Sequence, residues 1–173
     1  KLFCSDFVKQ NEKLLWLNQH YIKNGDPSHV AKELAWHMQQ LNIDVVHGPA
    51  LTEIIKAQGE RAKTLREMAE RSRYFYSDDI VFNPDAVSKH ITAEAKRALM
   101  EVRDALANLQ DWSKEAIHQV IIDTSEKLGM KMGQVAQPIR VAVTGDTVSP
   151  PIDMTLLLLG RERVLKRLQV IAA

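Results

Sequence analysis

The sequence is poor in the residues that build disulfides, metal sites and membrane spans. Its 173 residues include one cysteine, Cys4, so no disulfide and no cysteine-based metal site can form within the chain. A single cysteine fits a reducing cytoplasm, where we expect the protein to act. The longest apolar run, residues 154–160, is far shorter than the roughly 18 to 20 residues that a membrane span needs. We therefore expect no membrane partner.

Signatures of catalysis are missing as well. The six histidines show neither the H-x-x-x-H nor the H-E-x-x-H spacing of metal ligands. The chain also lacks G-x-G-x-x-G, G-x-x-x-x-G-K-[ST] and G-x-S-x-G, so it has neither a common phosphate-binding loop nor a nucleophile elbow. We predict no catalytic residue, no metal ligand and no cofactor in this chain.

What the sequence does contain is helical periodicity, and it predicts an all-α fold. Apolar residues recur at helical spacing, whereas the alternation typical of strands is absent. We predict Asp26, Thr92, Ser113 and Ser149 as helix N-caps, with proline at the first helical position after Asp26 and Ser149. The predicted helices cover residues 6–24, 27–41, 51–59, 60–73, 93–109, 114–128 and 134–143, followed by a short helix from residue 150 and a basic helix after residue 160.

A break near residue 76 predicts two helical subdomains. The aromatic residues 74–76, followed by Ser77, Asp78 and Asp79, end one helical series, and Asn83 and Pro84 begin another. We place the subdomains at residues 1–76 and 77–173. Tyr21, Ile22, Leu65, Met68 and Ala69 are predicted to face the core of the first, and Trp16, Trp36 and Trp112 are predicted to anchor the core or helix contacts.

The net charge of the whole chain does not indicate a nucleic-acid binder, because 23 basic residues balance 22 acidic ones. It is locally uneven. Residues 56–73 carry six basic side chains against three acidic ones, and residues 131–167 repeat that balance. Two such stretches could form one RNA-binding surface, or they could be ordinary solvated helix faces.

One stretch carries a family resemblance. Residues 131–168 read KMGQVAQPIRVAVTGDTVSPPIDMTLLLLGRERVLKRL. The block QP-[apolar]-R, then TG, SPP and LLGRERVLKRL is similar to the carboxy-terminal end of bacterial glutamate–tRNA ligases. NEKLLWLNQHYI (residues 11–22) and ERAKTLREMA (residues 60–69) stand in the family's order and at its spacing. The resemblance implies the helical anticodon-binding region of such a ligase.

The resemblance also implies site residues. Arg61 matches the arginine that reads the third anticodon base, Arg140 the residue that meets the first base, and Ser149 and Ile152 the pocket of the middle base. A guanidinium only donates hydrogen bonds, so it suits the acceptors O2 and N3 of cytosine and not the N1–H and N2–H donors of guanine. Arg61 would thus accept a glutamate anticodon ending in C and reject a glutamine anticodon ending in G.

These roles have structural alternatives. Arg61 could be an ordinary exposed helix arginine, and Arg140 could pair with a neighbouring carboxylate. Ser149 could serve only as an N-cap, and Ile152 could belong to the core. Further basic residues could contact the tRNA backbone: Lys131, Arg161, Arg163, Lys166 and Arg167.

The resemblance fixes the expected partners. It implies the anticodon loop of tRNA(Glu) as ligand, with ATP and Mg²⁺ used in a catalytic part that the family places before this region. The chain begins at Lys1 without an initiator methionine, so we expect it to be a piece of a longer protein. We expect a monomer that does not bind DNA. The alternative is a stand-alone helical module that binds protein, with affinity insensitive to salt.

Overall fold

The computed structural model describes residues 12–172. Within that range the chain forms ten α-helices and no strand, which confirms the predicted all-α class. The helices are α1 Glu12–Asn24, α2 Pro27–Gln40, α3 Leu51–Gln58, α4 Leu65–Tyr76, α5 Pro84–His90, α6 Ala93–Ala107, α7 Lys114–Leu128, α8 Met132–Thr144, α9 Ile152–Leu159 and α10 Arg161–Ala172. The predicted part of the first helix before residue 12 lies outside the described residues, as does Cys4.

The chain divides into two compact units, Lys1–Ser77 and Asp78–Ala173. This division lies within one residue of the boundary that the sequence predicts. The assignment of both units to anticodon binding is a separate statement and stays a prediction.

In the first unit, α2 is the central helix. It packs against α3 and α4, and α1 packs against α3. The predicted inward face of α4 is confirmed, because Leu65, Met68 and Ala69 are all fully buried. Ile22 is buried too, but Tyr21 beside it is 51% exposed.

The prediction of a core position is wrong for two of the three tryptophans. Trp16 is 67% exposed and Trp36 is 51% exposed, so neither anchors the core. Trp16 instead stacks on His20 one turn further along α1, with ring centroids 5.8 Å apart. Trp112 is half-buried, and the guanidinium of Arg161 lies 5.4 Å from the centroid of its ring.

In the second unit, α8 is the element that the others surround. It packs against α5, α6, α7, α9 and α10. Five of its apolar side chains are therefore fully buried: Val135, Ile139, Val141, Ala142 and Val143. Pro138 was predicted to interrupt this helix, but α8 continues through it.

Most helix ends follow the predicted signals. The side chains of Asp26, Thr92 and Ser113 accept hydrogen bonds from amides in the first turns of α2, α6 and α7. Gly129 and Gly145 end α7 and α8 in the left-handed conformation, with φ of 63° and 85°.

Among residues 12–172, no helix is both long enough and apolar enough to cross a bilayer.

Candidate nucleic-acid interface

Arg61 lies in a turn, not at the start of a helix. The predicted helix over residues 60–73 begins instead at Leu65, because the hydroxyl of Thr64 accepts a hydrogen bond from the amide of Glu67 and caps α4. Residues 59–64 therefore connect α3 to α4. In this segment, called the Arg61 turn below, Glu60, Arg61 and Lys63 are exposed, while Ala62 is fully buried.

Side chains from α1 hold one side of the Arg61 turn. The Nδ2 of Asn18 donates to the carbonyl of Lys63 at 2.6 Å, and the Nε2 of Gln19 donates to the carbonyl of Glu60 at 2.7 Å. The Nζ of Lys23 forms an ion pair with the Glu60 carboxylate. Asn18 is only 2% exposed, so its amide is a buried part of this contact.

Side chains from α4 hold the other side. The Nη1 of Arg71 donates to the carbonyl of Arg61 at 3.1 Å. The amide of Lys63 donates to the Glu67 carboxylate at 2.8 Å, and the same carboxylate pairs with Arg71. Three backbone carbonyls of the turn are thus bound by side chains of the flanking helices.

The electrostatics of the turn favour a fixed pair beside Arg61. The hydrogen bond and the charge of Lys23 lower the pKa of the Glu60 carboxyl, and Arg61 adds a smaller effect in the same direction. Lys23 is thus the main partner of the Glu60 carboxylate.

Arg140 and Ser149, which were predicted to meet different bases, lie side by side. The Nε of Arg140 donates to the hydroxyl of Ser149 at 2.9 Å, and its Nη1 donates to the Oε1 of Gln137 at 2.9 Å. Arg140 is half-buried on α8. The hydrogen bonds from Nε and Nη1 go to neutral oxygens, whereas the sequence alternative was a carboxylate.

Ser149 is not an N-cap, which corrects that prediction. The helix begins at Ile152, and Pro151 stands at the cap position without a side-chain hydrogen bond. The cause is the proline pair, because a residue that precedes proline is disfavoured in the helical conformation. The Ser149 hydroxyl is instead buried, donating to the carbonyl of Pro150 at 2.8 Å and lying 3.2 Å from the Thr155 hydroxyl.

Ile152 is 6% exposed and packs into the core at the first turn of α9. Most of the Ile152 side chain therefore belongs to the core, as the structural alternative stated. Its contribution to a pocket for the middle base is limited to this small exposed part.

The candidate phosphate contacts differ in exposure. Lys131 and Lys166 are exposed, while Arg161 is half-buried and donates to the carbonyl of Leu109 at 2.6 Å. Arg163 is 18% exposed and pairs with Asp78 at 3.2 Å. Arg167 is a wrong prediction, because it is 5% exposed and donates to the carbonyl of Val143 at 2.6 Å. A guanidinium in that position holds a helix end and cannot reach a phosphate.

The sequence analysis missed the residues that position the two arginines. Thr64 and Glu67 form a T-x-x-E pattern, a known signal for a helix start, so the turn around Arg61 was predictable. Gln137 stands three residues before Arg140, a spacing that places both on one helix face. Asn18, Gln19 and Lys23 are distant in sequence from Arg61, so no local pattern could have found them.

Within the described part of the chain, no three histidine, cysteine or acidic side chains are grouped closely enough to hold a metal ion.

The helical fold agrees with the comparisons. A family model described as "Anticodon binding domain" matches residues 28–172, and the chain belongs to this family. It is 52% identical over 157 residues to glutamate–tRNA ligase 1 of Coxiella burnetii (strain CbuK_Q154), which covers 91% of this chain and 34% of that protein. A ligase of the same name from Alkalilimnicola ehrlichii is 51% identical over 158 residues, with the same coverage.

Solved structures give the same result. A glutamate tRNA ligase from Elizabethkingia meningosepticum, crystallised in complex with its amino acid, matches with a TM-score of 0.82 and 25% identity over 93% of this chain and 32% of that chain. The glutamate-tRNA synthetase of Elizabethkingia anophelis matches with a TM-score of 0.78. The chain spans about a third of the length of these relatives.

Proposed function

We propose that this chain binds the anticodon loop of tRNA(Glu) as part of a glutamate–tRNA ligase. The observation that carries the proposal is the match to the anticodon-binding family over residues 28–172, together with 52% identity to a glutamate–tRNA ligase. The proposed role of the chain is to recognise the tRNA, and the covalent chemistry is assigned to another part of the ligase. ATP and Mg²⁺ would serve the catalytic part of such a ligase in the cytoplasm, and none of that chemistry is placed on these residues.

Arg61 is proposed to read the third anticodon base. Its side chain is exposed on a turn whose backbone is bound from both sides, so the guanidinium starts from a fixed Cα. Cytosine presents two acceptors to it, and guanine presents two donors that would face its N–H groups. A good bidentate contact of this kind discriminates by about 1 to 3 kcal/mol.

Arg140 is proposed to meet the first base. Two of its N–H groups are directed to Ser149 and Gln137, which hold the guanidinium plane in one orientation. A planar guanidinium held in this way can stack on an unstacked base. Ser149 would then act mainly through Arg140, and Lys131 and Lys166 would attract the phosphate backbone.

The test is the selectivity of Arg61→Gln. RNA hairpins that differ only in the third anticodon base, C or G, are bound to the 173-residue chain and their dissociation constants are compared. The unmodified chain is expected to prefer C by roughly 5- to 100-fold. Arg61→Gln should bring that preference close to one, because glutamine can both donate and accept.

Arg66→Gln is the matched control, since Arg66 is another exposed arginine five residues further along the same basic stretch. It loses the same charge but should keep the C preference. Equal selectivity in the unmodified chain and in Arg61→Gln would exclude Arg61 from base reading.

A further inference from the structure

We infer that Gln19 and Lys23, with the buried Asn18, are positioning residues for Arg61, so that selectivity for the third anticodon base depends on α1. The inference rests on the proposed function. It adds that the discriminating arginine is positioned by a helix that is distant in sequence. The residues of α1 lie 37 to 45 positions before the turn residues that they bind.

The three residues form one contact face on α1. Asn18 and Gln19 are neighbours, and Lys23 follows Gln19 by one helical turn, so all three side chains can reach the same strip of backbone. Each binds a different group of the turn: the carbonyl of Lys63, the carbonyl of Glu60 and the carboxylate of Glu60. The contacts therefore fix both ends of a four-residue stretch with Arg61 inside it.

The Arg61 turn has little packing of its own to fix its shape. Ala62 is its one fully buried side chain between Glu60 and Lys63, and a methyl group gives little hold on the backbone around it. The amides of Arg61 and Ala62 donate to the carbonyl of Gln58, the amide of Lys63 donates to Glu67, and Arg71 binds the carbonyl of Arg61. The carbonyls of Glu60 and Lys63 are bound from α1 instead. Without the α1 bonds, these two carbonyls would turn to water and the backbone on both sides of Arg61 would be held less tightly.

The position of the turn matters because base reading has narrow tolerances. A hydrogen bond from a guanidinium to a base spans about 2.7 to 3.2 Å and weakens steeply when misaligned. A mobile turn makes binding of cytosine cost additional ordering, whereas it relieves the mismatch with guanine. Loss of the α1 contacts should therefore weaken the C hairpin more than the G hairpin.

The experiment compares Gln19→Leu/Lys23→Met with the unmodified chain, using the same two hairpins. Leucine keeps most of the glutamine volume and methionine most of the lysine stem, so the changes remove polar contacts without opening a cavity. The C-over-G ratio of dissociation constants should fall at least about 3-fold, mostly through weaker binding of C. A Lys23→Arg variant, which retains a cation for Glu60, should restore most of the ratio relative to Lys23→Met alone.

Lys56→Met is the matched control. Lys56 is an exposed lysine paired with Glu53 at 2.9 Å within α3, whereas Lys23 is paired with Glu60 of the turn. The loss of Lys56 should weaken both hairpins equally and leave the ratio unchanged. If the double variant does not fold, Lys23→Met alone decides the matter, because this side chain is 52% exposed and its removal leaves no buried gap.

The outcomes separate the inference from the function on which it rests. A double variant with an unchanged ratio, alongside an Arg61→Gln variant that loses its ratio, would overturn the positioning role and leave the reading role of Arg61 in place. A ratio that survives Arg61→Gln would overturn both. A ratio that falls equally in Lys56→Met would assign the effect to charge and reject positioning.

Discussion

Individual residues in this protein are explained by their partners more than by their type. Arg140, Arg161 and Arg167 were all predicted to meet RNA. In the fold, Arg140 donates to the Ser149 hydroxyl and the Gln137 amide oxygen. Arg161 donates to the carbonyl of Leu109, and Arg167 donates to the buried carbonyl of Val143. The sequence itself places guanidinium groups at these positions. It could not predict which of them the fold uses, because Leu109 and Val143 lie 52 and 24 residues away from the arginines that bind them.

The hydrogen bond between Arg140 and Ser149 leads to a prediction for a single residue. Ser149→Ala removes the oxygen that accepts from Arg140 Nε and leaves a half-buried guanidinium donor without it. We expect the free energy of unfolding to fall by about 1 to 2 kcal/mol, the usual cost of leaving such a group unsatisfied. Urea unfolding followed by circular dichroism measures this.

Ser88→Ala provides the comparison, since Ser88 is exposed on α5. An exposed substitution of this kind changes stability by less than about 0.5 kcal/mol. If both variants unfold at the same urea concentration, the Arg140–Ser149 contact does not stabilise the protein.

At the scale of elements, local signals predicted most helix ends and failed where two signals competed. Thr92 and Ser113 cap helices as expected, because each stands alone before a run of helix formers. Ser149 resembled them, but the following proline pair delays the helix to Ile152. The start of α4 was predicted at residue 60 and lies at Leu65, because the helix formers of residues 60–63 hid the Thr64 cap.

Three glycines of the second unit separate backbone strain from lack of space. Gly133 lies inside α8, and there is open space where a Cβ would be. Gly129 also has open space, but its φ is 63°. Gly145 has a φ of 85°, and a Cβ there would overlap the carbonyl oxygen of Val81. Gly133→Ala should raise the free energy of unfolding by up to about 1 kcal/mol, from helix propensity alone. Gly129→Ala should lower it by about 1 to 2 kcal/mol, the cost of the left-handed conformation.

Gly145→Ala should cost more than Gly129→Ala, because it adds the overlap to the strain. Urea unfolding of the three variants gives this order directly. A Gly145→Ala variant as stable as Gly129→Ala would mean that the backbone near Val81 moves aside easily, and that the end of α8 is not fixed there.

For the whole molecule, balanced charge makes any RNA binding a local effect. The formal net charge is +1, so attraction to phosphates must come from individual exposed cations such as Lys131 and Lys166. The all-α class was predictable from periodicity, since most of the described residues lie in helices. The arrangement of the Arg61 turn was not, because it depends on side chains of α1 that only the folded chain brings to it.

Salt dependence is the prediction for the whole chain. The dissociation constant of the C hairpin should rise steeply with salt, with a log–log slope of about 0.7 to 0.9 for each phosphate contacted. Titrations at several salt concentrations measure it, and Lys166→Met should reduce the slope if that lysine meets a phosphate. A slope near zero would instead support a helical module that binds protein through its exposed tryptophans.

The buried Arg167 has a consequence for the helix that carries Arg140. Its guanidinium binds the carbonyl of Val143, one of the last four of α8, where a cation also opposes the negative end of the helix dipole. The end of α8 is therefore tethered through its own backbone by a residue of α10, so a shorter side chain at position 167 should loosen the helix end one turn beyond Arg140.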